Sequence, residues 1–283
     1  MRRVALSLSF LALASCASWG KPAKPVTTTY VLGTIHGNML DQPKNGVKDF
    51  VSALHQYKPT VILAEVRPDM PGPIEGTIDG GAEQALVYAY AEANGATVLP
   101  VDWFNDDYVK QSEEESAAIT PALKAELDPL FASFRKVVES GTFAESQSAE
   151  TQALIRARYE LLAKNGLKAE EKRNKVICEN IKVELPKLEG QRVLAVFGLA
   201  HKFALDDCLN GVGFPPVKLE KWYEAGRSAP VSPAFKSKAT ENLKRAKDIL
   251  SERLGSGYYS ADLENRKEKL KELDRWIEST SGL

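Results

Sequence analysis

Four apolar runs constrain this chain more than any other feature: "TYVLGTIH" from Thr29, "TVILAEV" at 60–66, "ATVLPVD" at 96–102 and "RVLAVFG" at 192–198. Each is short and apolar at nearly every position, so neither face is left for water. Strands of that kind belong to the interior of a parallel sheet. Amphipathic stretches separate the first three. Residues 46–57 place Val47, Phe50, Val51, Leu54 and Tyr57 on one helical stripe, and a helix over 81–94 stops at Asn94-Gly95. The alternation predicts an α/β class: a central, largely parallel sheet flanked by helices. Pro100 weakens the third strand, and "VKLEKWY" (217–223) reads as an edge strand.

From 105 to 185 the pattern is helical throughout, which predicts a helical insertion capping the sheet. "TPALKAELDPLFASFRKVV" opens on a Thr-Pro cap and repeats Leu123, Leu127, Leu130, Phe134 and Val137, with Pro129 expected to kink or split the helix. Further helices fit 146–165 and 168–185. After "GRSAPVSP", residues 235–254 and 260–278 predict a C-terminal helical hairpin, part of a unit spanning 228–283 and packed on an α/β domain of 30–227. No repeat or low-complexity segment is present.

The N-terminus carries a different message. Met1-Arg2-Arg3 is a short basic head, and Val4–Ala14 is apolar but too short to span a bilayer. It runs into "LASC", the form of a bacterial lipoprotein cleavage box. The expectation is a signal peptide over 1–15, a lipid on Cys16, and a tether over 16–29. The folded part would then sit outside the cytoplasm, facing the periplasm in a Gram-negative source, and meet a membrane through the lipid alone. The formal charge of −1 offers nothing to nucleic acid. Oligomeric state is not written in the pattern. Cys178 and Cys208 remain as a pair that an oxidising compartment can bridge, two buried free thiols being the other reading. Neither has companions at zinc-cage spacing.

Only three histidines occur, His36, His55 and His201. His36 and His201 each follow an apolar run through Gly-x-x-His, in "LGTIH" and "FGLAH". Glu65 and Asp102 also stand at the ends of apolar runs. In an open parallel sheet the carboxyl ends of the strands share one edge and the ligand binds there, so these four side chains are expected to converge. Two imidazoles and a carboxylate can hold a divalent metal or act as base and acid without one. Arg173 and Asn174 share the apolar face of their helix with Ile177, Cys178 and Ile181. They therefore point inward, where they need partners. His55 reads as a packing residue.

In order along the chain, "LGTIHGN", "ILAEVRPD", "KRN" and "FGLAH" resemble the motifs of the TraB/TIKI/GumN superfamily of metal-dependent hydrolases, over residues 30 to about 223. The resemblance implies a catalytic set of His36, Glu65, Arg173, Asn174 and His201, with His36, Glu65 and His201 as metal ligands. Asn38, Arg67 and Asp102 are the candidates for substrate binding. It implies cleavage of an amide or ester bond in a small-molecule or peptide substrate with a divalent ion of the Mn, Co or Zn class. Relatives similar to erythromycin-esterase-like enzymes imply a metal-free His base, and haem-binding lipoproteins imply the alternative of haem or iron binding without turnover. No H-E-x-x-H or G-x-S-x-G occurs to support a zincin or a serine hydrolase.

Overall fold

The computed structural model describes residues 26–70, 72–78, 80–256 and 263–283. The expected leader, Cys16, most of the tether and residues 257–262 lie outside them. Four strands form one all-parallel sheet: β1 (Thr28–Thr34), β2 (Val61–Ala64), β3 (Thr97–Pro100) and β4 (Arg192–Gly198), in the order β1-β4-β2-β3. The last strand in sequence is thus inserted between the first two. Its neighbours pair in register, Thr34 with Gly198 on one side and Ala64 with Val196 on the other. All four carboxyl ends therefore lie along one edge.

In β1, β2 and β4 the continuous hydrophobicity is used on both faces, whereas β3, at the edge, is only half-buried. Tyr30, Leu32, Ile62, Ala64, Leu194 and Val196 face one layer of helices, and Val31, Val61, Leu63, Val193, Ala195 and Phe197 face the other. The first layer holds α1 (Val47–Tyr57) and α2 (Glu83–Asn94), with the C-terminal pair α9 (Pro233–Gly255) and α10 (Leu263–Ser281). α9 packs on α2 and α10 on α9, and Trp276 is fully buried there. The hairpin is integral to this layer. The second layer holds α7 (Ala169–Glu184) and α8 (Lys202–Gly211), whose Ile177, Ile181, Leu205 and Leu209 close over β4.

Between β3 and β4 the chain is helical throughout: α3 (Asp106–Ala117), α4 (Pro121–Ser140), α5 (Phe143–Ser146), α6 (Ala149–Lys164) and α7. Caps stand where the residue types place them. Thr120 accepts the Leu123 N–H before Pro121, Ser232 accepts the Phe235 N–H before Pro233, and Gly95 ends α2 at φ +71°.

Of the two outcomes expected at Pro129, the split does not occur: α4 is one helix through it, and its exposed setting lets the carbonyl that loses a partner turn to water. A second expectation needs correction. The edge strand at 217–223 is absent. Pro216 makes a single bridge to Thr29 and the Val217 N–H reaches the Thr29 carbonyl, after which a short 3-10 turn, Leu219–Lys221, takes the chain away. Trp222 then packs edge-on between Tyr30 and Tyr57, at 4.7 and 5.0 Å between ring centres. That aromatic contact is incompatible with continued pairing along β1. Among the described residues, no helix is long and apolar enough to cross a membrane.

Candidate functional site

β1 ends at Thr34 and the chain turns immediately into a 3-10 turn, His36–Leu40. His36 itself sits at φ +48°, a left-handed conformation that costs a non-glycine residue about 1–3 kcal/mol and persists only where its surroundings hold it. The holding partner is Glu83, in the first turn of α2 and fully buried. Its Oε1 lies 2.7 Å from His36 Nδ1 and accepts the Thr34 hydroxyl at 2.8 Å. With Nδ1 so occupied, Nε2 faces the strand edge.

His201 closes the equivalent turn after β4, Leu199–His201, directly before α8. Its Nδ1 is 2.6 Å from Asn174 Oδ1, and its Nε2 is 3.6 Å from Glu65 Oε1. The two glycines of the paired motifs have a steric purpose. A Cβ on Gly198 would stand 2.4 Å from His36 Nε2 and 3.5 Å from Glu65 Oε2, and one on Gly33 would stand 2.6 Å from Leu199 Cδ1. The glycine of the second motif leaves room for the histidine of the first, so the turns interlock.

Glu65 follows β2 and is buried at the centre of the group. Its Oε2 accepts the Gly198 N–H at 2.5 Å and its Oε1 accepts Arg173 Nη2 at 3.0 Å. Arg173 reaches in from α7 and forks onto Asp102, Nε to Oδ1 at 3.0 Å and Nη2 to Oδ2 at 2.9 Å. Its guanidinium carbon lies 5.2 Å from the Phe104 ring centre and 5.1 Å from that of Tyr108. Arg173 thus ties β2, the end of β3 and α7 together, with its own charge offset by two carboxylates.

The electrostatics separate the two histidines. Burial and the charges of Arg173 and His36 hold the His201 pKa well below its ordinary value, so the ring is neutral. With Nδ1–H donated to Asn174, the lone pair is on Nε2. For His36, whose side chain is 43% exposed, partial desolvation works against protonation, but the charge and hydrogen bond of Glu83, with Glu65 beyond, push its pKa up to about 9. Burial pushes the Glu65 carboxyl up, and His36, Arg173 and the Gly198 N–H only partly offset it. The arrangement thus sets a neutral imidazole and an imidazolium on either side of one buried carboxyl group. Pairs of groups with opposed protonation are the raw material of acid–base chemistry.

His36, Glu65, Asp102 and Arg173 open on a cavity of about 300 Å³, while His201 and Asn174 lie behind Glu65 and do not line it. Its far wall is α10, which contributes Lys269 and Glu272, 3.1 Å apart; Glu272 is also held by Trp276 Nε1 at 3.2 Å. A Cβ on Gly37 would stand 2.9 Å from Glu272 Cδ, so α10 packs directly on the turn that carries His36.

His36, Glu65, Asp102, Arg173, Asn174 and His201 are therefore brought together as the sequence predicts. Asp102 acts on Arg173, so its place in the group is to fix the guanidinium. Arg67 and Asn38 are not brought in. Arg67 forks onto Asp69 in the exposed loop after β2, and the Asn38 side chain bonds back to the Ile35 carbonyl at 3.1 Å, beside the groove between this turn and α10. His55 packs edge-on against Tyr90 and Phe235, as a packing residue should. Cys178 and Cys208 are bonded. Sequence reasoning missed Glu83, Phe104, Lys269 and Glu272. Glu83 shares its helix with Gln84, Glu92 and Asn94 and stands in the first turn, where an acidic residue is ordinary, so nothing in the sequence set it apart.

Whether a divalent ion fits can be read from the donors. Both imidazoles are anchored through Nδ1, by Glu83 and by Asn174, the outer-sphere arrangement that orients metal-ligating histidines. With Glu65 they supply the donor types that a His₂-carboxylate site for the Mn, Co or Zn class uses. In the arrangement seen, Arg173 and the Gly198 N–H occupy Glu65, and among the described residues no three His, Cys, Asp or Glu side chains stand together as a cage. A haem plate would meet charged walls, Glu65, Asp102, Arg173, Lys269 and Glu272, where it needs apolar ones. No protein-family model, curated protein or solved structure matches the chain.

Proposed function

We propose that this protein is a hydrolase that cleaves an amide or ester bond at the strand-end site. The observation that carries the reading is the pair of imidazoles, each anchored through Nδ1 and each presenting Nε2 beside the buried Glu65 carboxyl group. His201 is the base: neutral, with its lone pair on Nε2 3.6 Å from Glu65 Oε1, it takes up the proton that an attacking water releases at Glu65, the carboxyl group that lines the cavity. His36, protonated and held by Glu83, stabilises negative charge developing on the carbonyl oxygen and returns a proton to the leaving group. Glu65 keeps both rings in register, and Arg173 adds positive potential from the side of α7. In the metal-dependent form, His36 deprotonated at Nε2, Glu65 freed from Arg173, and His201 Nε2 would hold a Mn, Co or Zn ion, which would supply Lewis acidity and a water of lowered pKa in place of the His36 proton. The resemblance of the ordered motifs to the TraB/TIKI/GumN superfamily implies the same reaction class.

The working location that goes with this reading is outside the cytoplasm, with a lipid on Cys16 as the anchor. The bonded Cys178–Cys208 pair is consistent with an oxidising compartment.

Metal analysis of the purified full chain beside a His36→Ala/His201→Ala double variant tests the metal-dependent form. Stoichiometric metal lost from the variant supports it. Metal-free protein that still hydrolyses at full rate assigns the chemistry to the histidines alone.

A further inference from the structure

Arg173 and Asn174 enter the site from α7, the last helix between β3 and β4, whereas Glu65 and both histidines ride on the sheet ends. The seating of α7 therefore decides whether Asn174 meets His201. Towards β2 and β3, α7 is fixed by the Arg173 ion pairs and by Asn180, which donates to the Val101 carbonyl at 3.0 Å. Towards α8 there are two polar or covalent links. One is the 2.6 Å contact between Asn174 and His201, and the other is the Cys178–Cys208 disulfide.

Cys178 follows Asn174 by four residues, one turn along the same face of α7. Cys208 follows His201 by seven, two turns along α8. The links are neighbouring rungs between the same two elements, which also contribute Ile177, Ile181, Leu205 and Leu209 to one apolar cluster. The outer rung is also accessible. A cavity of about 570 Å³ between α6, α7 and α8 has both cysteines on its wall, and Asn174 lines it too. Cys208 is buried and Cys178 only partly so.

We propose that the Cys178–Cys208 disulfide is a redox-modification site whose state controls the Asn174–His201 contact, and that its co-reactant is a compact dithiol entering by this cavity. A thiolate of the dithiol attacks Cys178 Sγ, forming a mixed disulfide and releasing the Cys208 thiolate, which takes a proton. The second thiol of the reductant then displaces Cys178 as its thiol, and the reductant leaves as a disulfide. Two electrons and two protons have moved to the protein. Without the covalent rung, α7 and α8 separate at this end, Asn174 withdraws and the His201 ring loses the anchor on Nδ1. The consequence for turnover rests on the hydrolase reading, but the contact itself can be followed without a substrate.

Three histidines make the test simple. In full chain carrying isotope-labelled histidine, the oxidised protein is expected to show a protected Nδ1–H signal for His201, assigned by its loss in His201→Gln. Dithiothreitol, the probe dithiol, should abolish that signal while far-UV circular dichroism is unchanged, and reoxidation should restore it. Cys178→Ser/Cys208→Ser should lack the signal and ignore dithiothreitol. The proposal is overturned if the signal survives in folded protein with both thiols free, if the thiols appear only after denaturation, or if reduction unfolds the whole chain. A redox-responsive signal in a protein without hydrolytic activity would uphold this inference and remove the hydrolase reading instead.

Discussion

Arg173→Met tests the packing of the site most severely. Methionine keeps an unbranched apolar stem of similar reach but not the guanidinium, whose carbon lies 5.2 Å from the Phe104 ring centre and 5.1 Å from that of Tyr108. What is lost is a cation lying 3.0 Å from Glu65 Oε1 and 2.9 Å from Asp102 Oδ2, in a place where Arg173 itself is 7% exposed. Two buried carboxyl groups then lack their common partner. Removing one member of a buried pair costs about 3–5 kcal/mol, a large part of the stability of a typical domain. The loss should depend on pH. Burial already raises the Glu65 pKa, and Arg173 is among the groups that hold it down, so the variant carries it higher still. A carboxyl group raised above its unfolded value contributes stability that is full below the unfolded pKa and lost as pH rises through the folded one. The gap between variant and wild type should therefore be widest at neutral pH and narrow in acid. Urea unfolding of both proteins at pH 5 and pH 8 measures it, with m-values compared to exclude a change in the denatured state. Arg173→Lys, which keeps the charge but not the fork, should fall between them. A difference within about 0.5 kcal/mol at pH 8, or one that ignores pH, would refute the reasoning.

Three further outcomes are expected. Glu83→Gln removes the partner that lifts His36, so its titration, followed by NMR, should fall from about 9 towards the ordinary histidine range. In wild type, the stability from His36 protonation is full below the ordinary pKa and fades as pH rises through about 9; the variant should lose that slope. Gly198→Ala puts a methyl group 2.4 Å from His36 Nε2, so the ring must move; a destabilisation of about 1–3 kcal/mol with loss of activity is expected, and unchanged activity contradicts the interlocked turns. Cys178→Ala/Cys208→Ala opens a loop closed over a separation of 30 residues and should lower unfolding free energy by about 3–4 kcal/mol, read from the denaturation midpoint.

The sheet was legible because its strands are apolar on both faces, and that alone demands two helical layers and parallel pairing. Parallel pairing in turn placed His36, Glu65, Asp102 and His201 on one edge, although the two histidines stand 165 positions apart. Arg173 and Asn174 were legible from the helical face they share with Ile177 and Ile181. The residues that escaped act through contacts with no local pattern. Glu83 stands at the start of a helix, where any acidic residue favours the dipole, and only the fold reveals that it is buried against His36. Lys269 and Glu272 lie on a helix whose charges read as a solvated face, and the wall they form depends on how α10 crosses the His36 turn. The stretch 217–223 misleads for the converse reason: Val217, Leu219 and Lys218, Glu220 alternate like a strand, but Trp222 finds a better place between two tyrosines.

The most direct measurement of the central claim is hydrolysis of a panel of amides and esters by the metal-supplemented full chain, beside Glu65→Gln and His201→Ala. A base and its supporting carboxyl group contribute about 10²–10⁴-fold each in sites of this kind. The predicted result is turnover by wild type and losses of that order in both variants, with near-UV circular dichroism unchanged. Absence of hydrolysis by wild type, or folded variants as active as wild type, would contradict the assignment of chemistry to this strand edge.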